Sequence, residues 1–168
     1  MELFPGGRYP DWPNLATMMF ERARAWGRKP MLRHHVKGPG GGTWHSITWS
    51  DFARRTASLA RNLRARGVSA GDRVLIVAEN RPEYPIAETA LLAIRAVPVP
   101  TYTTYTVEDY AHVLRDCGAR VAIVSTPDLA GRIAAAYAAA THPQAAEALD
   151  LLVLMDEPAP AYPHPQTP

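Results

Sequence analysis

Cysteine is almost absent from the sequence, whose 168 residues include only Cys117. A single thiol cannot form a disulfide within the chain, and no cysteines and histidines stand at the spacing of a zinc site. Proteins without disulfides are typical of reducing compartments, so we expect a cytoplasmic protein. Cys117 directly precedes Gly118, and we interpret it as a small buried hydrophobic residue at the end of a helix.

Long apolar runs and a strong charge of one sign are also missing. The best candidate for a membrane span, residues 86–99, is interrupted by Glu88, Arg95 and Pro98 and falls short of the roughly 20 residues that cross a bilayer. The first residues show no basic start followed by an apolar run, so we expect no signal peptide. The net charge of +2 is too small to predict binding to nucleic acid or to an anionic membrane.

The sequence lacks the short motifs that bind nucleotides or activate a nucleophile. It contains no G-x-G-x-x-G, no G-x-x-x-x-G-K-[ST] and no G-x-S-x-G. The glycine-rich residues 38–42 join two polar strand patterns, whereas a phosphate loop follows a buried strand and opens a helix. We interpret this segment as a plain turn and predict no catalytic residue.

The patterns that are present predict an α/β protein. Short apolar runs rich in β-branched residues alternate with helical patterns, which is typical of a parallel sheet with right-handed crossovers. The predicted strands are residues 31–36, 43–48, 73–78, 97–100, 120–125 and 151–155, and the predicted helices are residues 15–26, 51–66, 81–95, 107–117 and 127–140. We therefore predict a doubly wound parallel sheet that is preceded by a helix and a β-hairpin.

Capping residues predict where three of the helices begin. Ser50 precedes the second helix and Asn80 precedes the third, and both side chains can accept a backbone hydrogen bond at a helix start. Thr106 stands three residues before Asp109, which approximates a capping box for the fourth helix.

Two groups of side chains could bind a metal ion. His34, His35 and His45 stand on the two strands of the hairpin, but adjacent residues of a strand point to opposite faces, so surface histidines are the simpler interpretation. Asp156 and Glu157 follow the last predicted strand, where an acidic pair could hold magnesium or could simply be solvated. We predict no metal site from either group.

Seven short segments resemble the start of the AMP-forming acyl-CoA synthetase family, which includes luciferases and the adenylation domains of peptide synthetases. In chain order they are residues 47–52, 59–63, 67–68, 71–74, 80–83, 99–104 and 118–120. The resemblance covers about residues 14–155. The V-P-T-Y-T-T sequence of residues 99–104 is most similar to the long-chain fatty acyl-CoA synthetase branch.

The resemblance implies an incomplete N-terminal subdomain of the adenylate-forming ligase fold. Enzymes of this family use ATP, magnesium and a carboxylic acid to form an acyl-adenylate with release of pyrophosphate, and CoA then attacks the adenylate. The sequence does not contain the family's Ser/Thr/Gly-rich phosphate loop ending in Pro-Lys-Gly, its magnesium-side glutamate, its ribose-binding aspartate or its lid lysine. We therefore expect this chain alone to be inactive and to bind none of ATP, magnesium and CoA.

One corner of the chain departs from the family pattern. The family usually has Gly-Ala between the helix and the V-P strand, whereas here Arg95-Ala96 runs directly into Val97-Pro98. We interpret this difference as a loss of two residues, which would shift the strand or shorten the helix before it. Because Pro98 and Pro100 also remove hydrogen-bond donors, we expect the strand to pair irregularly.

The resemblance also implies one candidate site. In the family the loop after the V-P strand borders the channel by which the pantetheine arm of CoA reaches the adenylate, and here that loop is Tyr102, Thr103 and Thr104. Threonine hydroxyls and backbone amides can hydrogen-bond the pantetheine amides, and Tyr102 offers a flat apolar wall. Alternatively, Tyr102 packs beneath the following helix and Thr104 only shapes the turn before Thr106.

We expect three parts in the chain: an N-terminal extension (residues 1–13), the acyl-CoA synthetase-like subdomain (residues 14–157) and a Pro-rich tail (residues 158–168). The implied function is part of an ATP-dependent fatty acid–CoA ligase, although the sequence does not identify the acid. The alternatives are a self-standing α/β binding module and a non-functional truncated relative. An incomplete sheet would leave an edge open to self-association.

Overall fold

The computed structural model describes residues 11–38, 40–140 and 149–156. The helices are α1 (Leu15–Trp26), α2 (Trp49–Ala65), α3 (Glu83–Ala93), α4 (Val107–Cys117) and α5 (Pro127–Ala140), and the strands are β1 (Pro30–Val36), β2 (Thr43–Thr48), β3 (Arg73–Val77), β4 (Val97–Thr101), β5 (Val121–Val124) and β6 (Leu151–Leu154). The order of elements confirms the sequence prediction. The predicted Pro-rich tail and Glu157 lie outside the described residues.

Two of the predicted helix caps are wrong and one is confirmed. Thr48, at the end of β2, caps α2 through a 3.1 Å bond from the Asp51 amide, so Ser50 already lies inside the first turn. Asn80 stands outside the start of α3, because Pro82 has helical backbone angles and no side chain caps this helix. Thr106 and Asp109 form the predicted capping box of α4.

Strands β3 to β6 form one parallel sheet in the order β4-β3-β5-β6. Its first strand, β3, lies between β4 and β5, so right-handed crossovers place α3 on one face of the sheet and both α4 and α5 on the other. One core cluster joins α2 and α3 to the sheet through residues such as Leu63 and Leu91. The other joins α4 and α5 to the opposite face through residues such as Tyr110 and Ile133. The sheet is therefore doubly wound, as predicted.

Strand β4 pairs regularly with β3, which contradicts the expected irregularity. The register runs without a break from Arg73 opposite Val97 to Val77 opposite Thr101. Strand β4 is the edge of the sheet. Because alternate residues of a strand bond to the same neighbour, Pro98 and Pro100 can both direct their missing donors to the open side.

At the corner before β4, Arg95 adopts the backbone conformation that glycine favours. Its φ is 64°, and no other non-glycine residue in the described ranges has a positive φ. The Ala96 amide donates to the Leu91 carbonyl at 3.0 Å and the Arg95 amide to the Leu92 carbonyl at 3.1 Å. These are the two bonds of a Schellman helix end, in which this position is usually glycine. Arg95 thus ends α3 with a regular Schellman motif.

The hairpin β1–β2 packs against the helices on one side of the molecule. Ile47 on β2 forms a small core with Phe52 of α2 and Ile86 of α3. The turn of the hairpin is a plain turn, as predicted, and Gly42 has a φ of 87°. A Cβ at Gly42 would collide with the carbonyl of Val36 and the ring of His35, which explains why glycine is needed there.

Strand β6 forms the other edge of the parallel sheet. Its four residues, Leu151 to Leu154, are all half-buried. They line a groove of about 450 Å³ together with Leu59, Leu63 and the polar side chains of Asn62 and Arg66 on α2. In the described ranges, no helix is both long enough and apolar enough to cross a membrane.

Candidate functional site

The carboxyl ends of the four parallel strands lie together at one end of the sheet, which is called the carboxyl end of the sheet below. The chain leaves β3 toward α3 on one face and leaves β5 toward α5 on the other, which makes the β3–β5 boundary a topological switch point. Open α/β sheets bind ligands in the crevice at such a point. Two buried hydroxyls near the carboxyl end of the sheet, Thr101 Oγ1 and Ser125 Oγ, have no hydrogen-bond partner in the described ranges. Buried polar groups normally have partners, and Thr56 Oγ1 on α2 is a further buried hydroxyl without one, so this feature is shared with the core and is not specific to the site.

Arg81 bridges the loop after β3 and the end of β6. Its Nη1 lies 2.7 Å from Asp156 Oδ1, and its Nε lies 2.8 Å from Glu83 Oε2. Burial opposes ionisation of Glu83, but the bond and the charge of Arg81 outweigh it and hold the pKa of Glu83 below its ordinary value. Asp156 is therefore an ion-pair partner, where the sequence suggested a solvated acid.

Two tyrosines of the loop after β4, Tyr102 and Tyr105, form a chain of ring contacts with Tyr110 of α4. The rings of Tyr102 and Tyr105 lie 5.5 Å apart, and those of Tyr105 and Tyr110 lie 5.8 Å apart. Tyr102 is 70% exposed, whereas Tyr110 is 0% exposed. The Tyr110 hydroxyl donates to the Tyr102 carbonyl at 2.7 Å, and burial raises the pKa of Tyr110 above its ordinary value. The buried ring at this place is thus Tyr110 of α4, whereas Tyr102 faces solvent and does not pack beneath the helix.

The predicted site residues Tyr102, Thr103 and Thr104 occupy this loop together. Thr104 is exposed and Thr103 is half-buried. The turn is closed by a 3.4 Å bond from the Tyr105 amide to the Tyr102 carbonyl, and the capping box at Thr106 begins α4 directly after it. The loop presents an aromatic ring and hydroxyls at the carboxyl end of the sheet, where ligands bind.

Sequence reasoning missed the Arg81–Asp156 pair and the role of Tyr110. The two charged residues stand 75 positions apart, so no local pattern connects them. Tyr110 could have been predicted as buried from the apolar face of α4, but the carbonyl that its hydroxyl meets depends on the path of the preceding loop. The Arg81–Asp156 ion pair and the bond from Tyr110 to the Tyr102 carbonyl both fix segments at the carboxyl end of the sheet.

The adjacent histidines His34 and His35 lie on opposite faces of the hairpin, as predicted, and His45 lies on the same face as His34. The His34 ring faces His45 at 5.7 Å, and the His35 ring faces Trp44 at 5.4 Å. Nowhere in the described ranges do three His, Cys, Asp or Glu side chains gather as a metal site would require. The carboxylate of Asp156 is occupied by Arg81, and the residues of the described ranges therefore do not fit a magnesium site.

Comparison with known proteins decides the family. The sequence profile described as "AMP-binding enzyme" matches residues 19–166 of this chain. The chain belongs to the AMP-binding enzyme family. Among its curated relatives, long-chain-fatty-acid–CoA ligase FadD15 of Mycobacterium tuberculosis is 35% identical over 121 residues, which are 72% of this chain and 20% of the relative. Feruloyl-CoA synthase of an Amycolatopsis species is 36% identical over 125 residues, which are 74% of this chain and 22% of the relative.

Solved structures of AMP-binding enzymes show the same fold. A benzoate CoA ligase from Burkholderia xenovorans aligns with a TM-score of 0.64 at 24% identity, over 83% of this chain and 25% of the ligase. A fatty acyl CoA synthetase of Mycobacterium tuberculosis aligns with a TM-score of 0.63 at 22% identity, over 84% of this chain and 26% of the synthetase. The chain resembles the N-terminal part of acyl-CoA ligases and spans about a fifth of the length of the curated relatives.

Proposed function

We propose that this chain is the N-terminal part of an AMP-forming fatty acid–CoA ligase. The observation that carries the proposal is the match of 72% of this chain to 20% of a long-chain fatty acid–CoA ligase. In the complete enzyme a carboxylate oxygen of the acid would attack the α-phosphorus of ATP and release pyrophosphate. The CoA thiol would then attack the acyl carbon and release AMP. A fatty acid is proposed because residues 99–104 resemble the long-chain branch.

The chain alone is proposed to be inactive. Adenylate formation needs positive charge and backbone donors arranged around the phosphates, and the sequence contains no loop that could supply them. The purified chain should show no ATP–pyrophosphate exchange with any fatty acid. Exchange clearly above background would contradict the proposal that this chain is only part of an enzyme.

The loop Tyr102–Thr104 is proposed to border the path of CoA. Its position at the carboxyl end of β4 supports this role, because ligands of open α/β sheets bind at that end. The exposed ring of Tyr102 offers an apolar wall for the pantetheine arm. The hydroxyls of Thr103 and Thr104 have no partner in the described ranges and can bond the pantetheine amides.

A hybrid ligase separates the CoA step from adenylate formation. Residues 11–156 would replace the matching segment of the Mycobacterium tuberculosis long-chain fatty acid–CoA ligase. Thr104→Trp in this hybrid should raise the KM for CoA and leave ATP–pyrophosphate exchange unchanged, because exchange does not need the thiol. Thr104→Ser, which keeps the hydroxyl and adds no bulk, is the matched control. If exchange falls as far as thioester formation, the loop is structural and the site assignment is wrong.

The remaining features of the protein follow as proposals. We place the subdomain at residues 14–157, with an extension before it and a tail after it, and we propose a cytoplasmic location. The apolar edge strand Leu151–Leu154 supports self-association of the separate chain.

The alternative of a self-standing binding module predicts a monodisperse monomer with a cooperative melt. The DNA that follows the codon for Pro168 separates the alternatives. An in-frame or frame-shifted Ser/Thr/Gly-rich loop ending in Pro-Lys-Gly supports part of a ligase or a non-functional truncated relative, whereas a stop followed by unrelated sequence supports the self-standing module.

A further inference from the structure

The Tyr110 hydroxyl makes a contact that links α4 to the loop before it. Tyr110 is wholly buried and its ring belongs to the core cluster beneath α4 and α5. Its hydroxyl nevertheless reaches the backbone carbonyl of Tyr102, eight positions earlier, at 2.7 Å. A buried phenol with a single backbone acceptor fixes the position of that acceptor, because the buried hydroxyl would lose its only partner if the loop moved.

The loop is otherwise held weakly at this end. The amide of Tyr105 reaches the same Tyr102 carbonyl at 3.4 Å, which is long for a hydrogen bond. At the far end the capping box of Thr106 and Asp109 fixes the start of α4. Tyr105 adds ring contacts to Tyr102 and Tyr110. The short bond from Tyr110 is therefore the strongest restraint on the backbone between β4 and the cap.

We propose that the Tyr110 hydroxyl is a positioning group that sets the conformation of the loop Tyr102–Thr104. By holding the Tyr102 carbonyl inward, it keeps the Tyr102 ring on the solvent side, where that ring is 70% exposed. Its consequence for CoA rests on the proposed function of this loop. Tyr110 acts through the loop and does not itself touch substrate.

The first test uses the 168-residue chain and does not depend on activity. Tyr110→Phe removes the hydroxyl and keeps the buried ring. Chymotrypsin cleavage after Tyr102 should become about tenfold faster, while amide exchange in α4 and α5 stays as in the unchanged chain. Tyr105→Phe is the matched control, because the Tyr105 hydroxyl has no hydrogen bond in the described ranges and its ring contacts are kept. Equal cleavage rates in Tyr110→Phe and in the unchanged chain would overturn the proposal.

A measurement on the unchanged chain covers the case in which Tyr110→Phe fails to fold. The Tyr110 hydroxyl proton should exchange with water slowly enough to give its own resonance in the NMR spectrum. A hydroxyl proton that exchanges as fast as that of an exposed tyrosine would contradict the 2.7 Å bond and the positioning role.

The second test joins the inference to the proposed function. In the hybrid ligase, Tyr110→Phe should raise the KM for CoA about tenfold and leave kcat and ATP–pyrophosphate exchange nearly unchanged, whereas Tyr105→Phe should change none of them. A loosened loop with a raised KM supports both proposals. A loosened loop with an unchanged KM supports the positioning role and contradicts the CoA role of the loop. An unloosened loop overturns the positioning role whatever the KM.

Discussion

Replacing Arg95 with glycine should stabilise the protein. Arg95 has a φ of 64° at the end of α3, and its side chain is exposed. A residue with a Cβ costs about 1–2 kcal/mol in the left-handed region. Glycine offsets part of this gain, because its greater freedom in the unfolded chain lowers the free energy of unfolding by about 0.5–1 kcal/mol. The difference predicts a gain of about 0.5–1 kcal/mol in the free energy of unfolding, or about 2–3 °C in Tm for a chain of this size.

The backbone contacts at this corner make the substitution a clean one. Arg95 contributes its amide and its carbonyl, which accepts a 2.9 Å bond from the Gly71 amide, and both groups remain in glycine. The matched control is Arg61→Gly, which removes another exposed arginine from the interior of α2. That change should cost about 1 kcal/mol, because glycine is unfavourable inside a helix.

Urea unfolding followed by circular dichroism measures both variants. The expected result is a higher midpoint for Arg95→Gly and a lower midpoint for Arg61→Gly, with unchanged slopes. If both variants lose stability to the same extent, the arginine side chain at position 95 makes a favourable contact, and the argument from backbone conformation is wrong.

Three further predictions follow from the structure. Thr106→Ala should lower the free energy of unfolding by about 1 kcal/mol through loss of the α4 cap, whereas Thr104→Ala, which removes no cap, should leave the urea midpoint nearly unchanged. Arg81→Met should cost about 1 kcal/mol at pH 7, discounted for the partial exposure of the ion pairs. Because Arg81 lowers the pKa of Glu83, the stability from this pair is present above the ordinary glutamate pKa and is lost as the pH falls through the pKa of Glu83 in the folded protein. The urea midpoints of Arg81→Met and of the unchanged chain should therefore converge in acid. A difference that stays constant with pH would contradict the pairing. The separate chain should associate with rising concentration in sedimentation velocity through the open β6 edge, and a single monomer species at all concentrations would contradict this.

The sequence was sufficient for the element order because each element carries its own local signal. The apolar run of β3 and the capping box at Thr106 depend only on neighbours in the chain. The start of α2 was misplaced by two residues because Thr48 and Ser50 are both good caps, and the extent of β2 decides between them. Strand β4 was expected to be irregular because the sequence does not tell which strand lies at the edge of the sheet.

The candidate site was only partly accessible to sequence reasoning. The loop Tyr102–Thr104 was chosen as a candidate site through resemblance to a family, and its place at the carboxyl end of the sheet followed from the order of the strands along the chain. The Arg81–Asp156 pair joins segments 75 positions apart, and its formation depends on β6 lying beside β5. The helix end at Arg95 was not predicted, because a left-handed backbone leaves no signature in the sequence when the residue is not glycine.

The most direct test of the account asks whether this chain can serve as the N-terminal part of a working ligase. The hybrid that carries residues 11–156 in the Mycobacterium tuberculosis long-chain fatty acid–CoA ligase should show ATP–pyrophosphate exchange that depends on fatty acid and should form acyl-CoA. The separate chain should show neither. A hybrid that unfolds cooperatively, as a folded protein does, and yet shows no exchange above background would contradict the central claim.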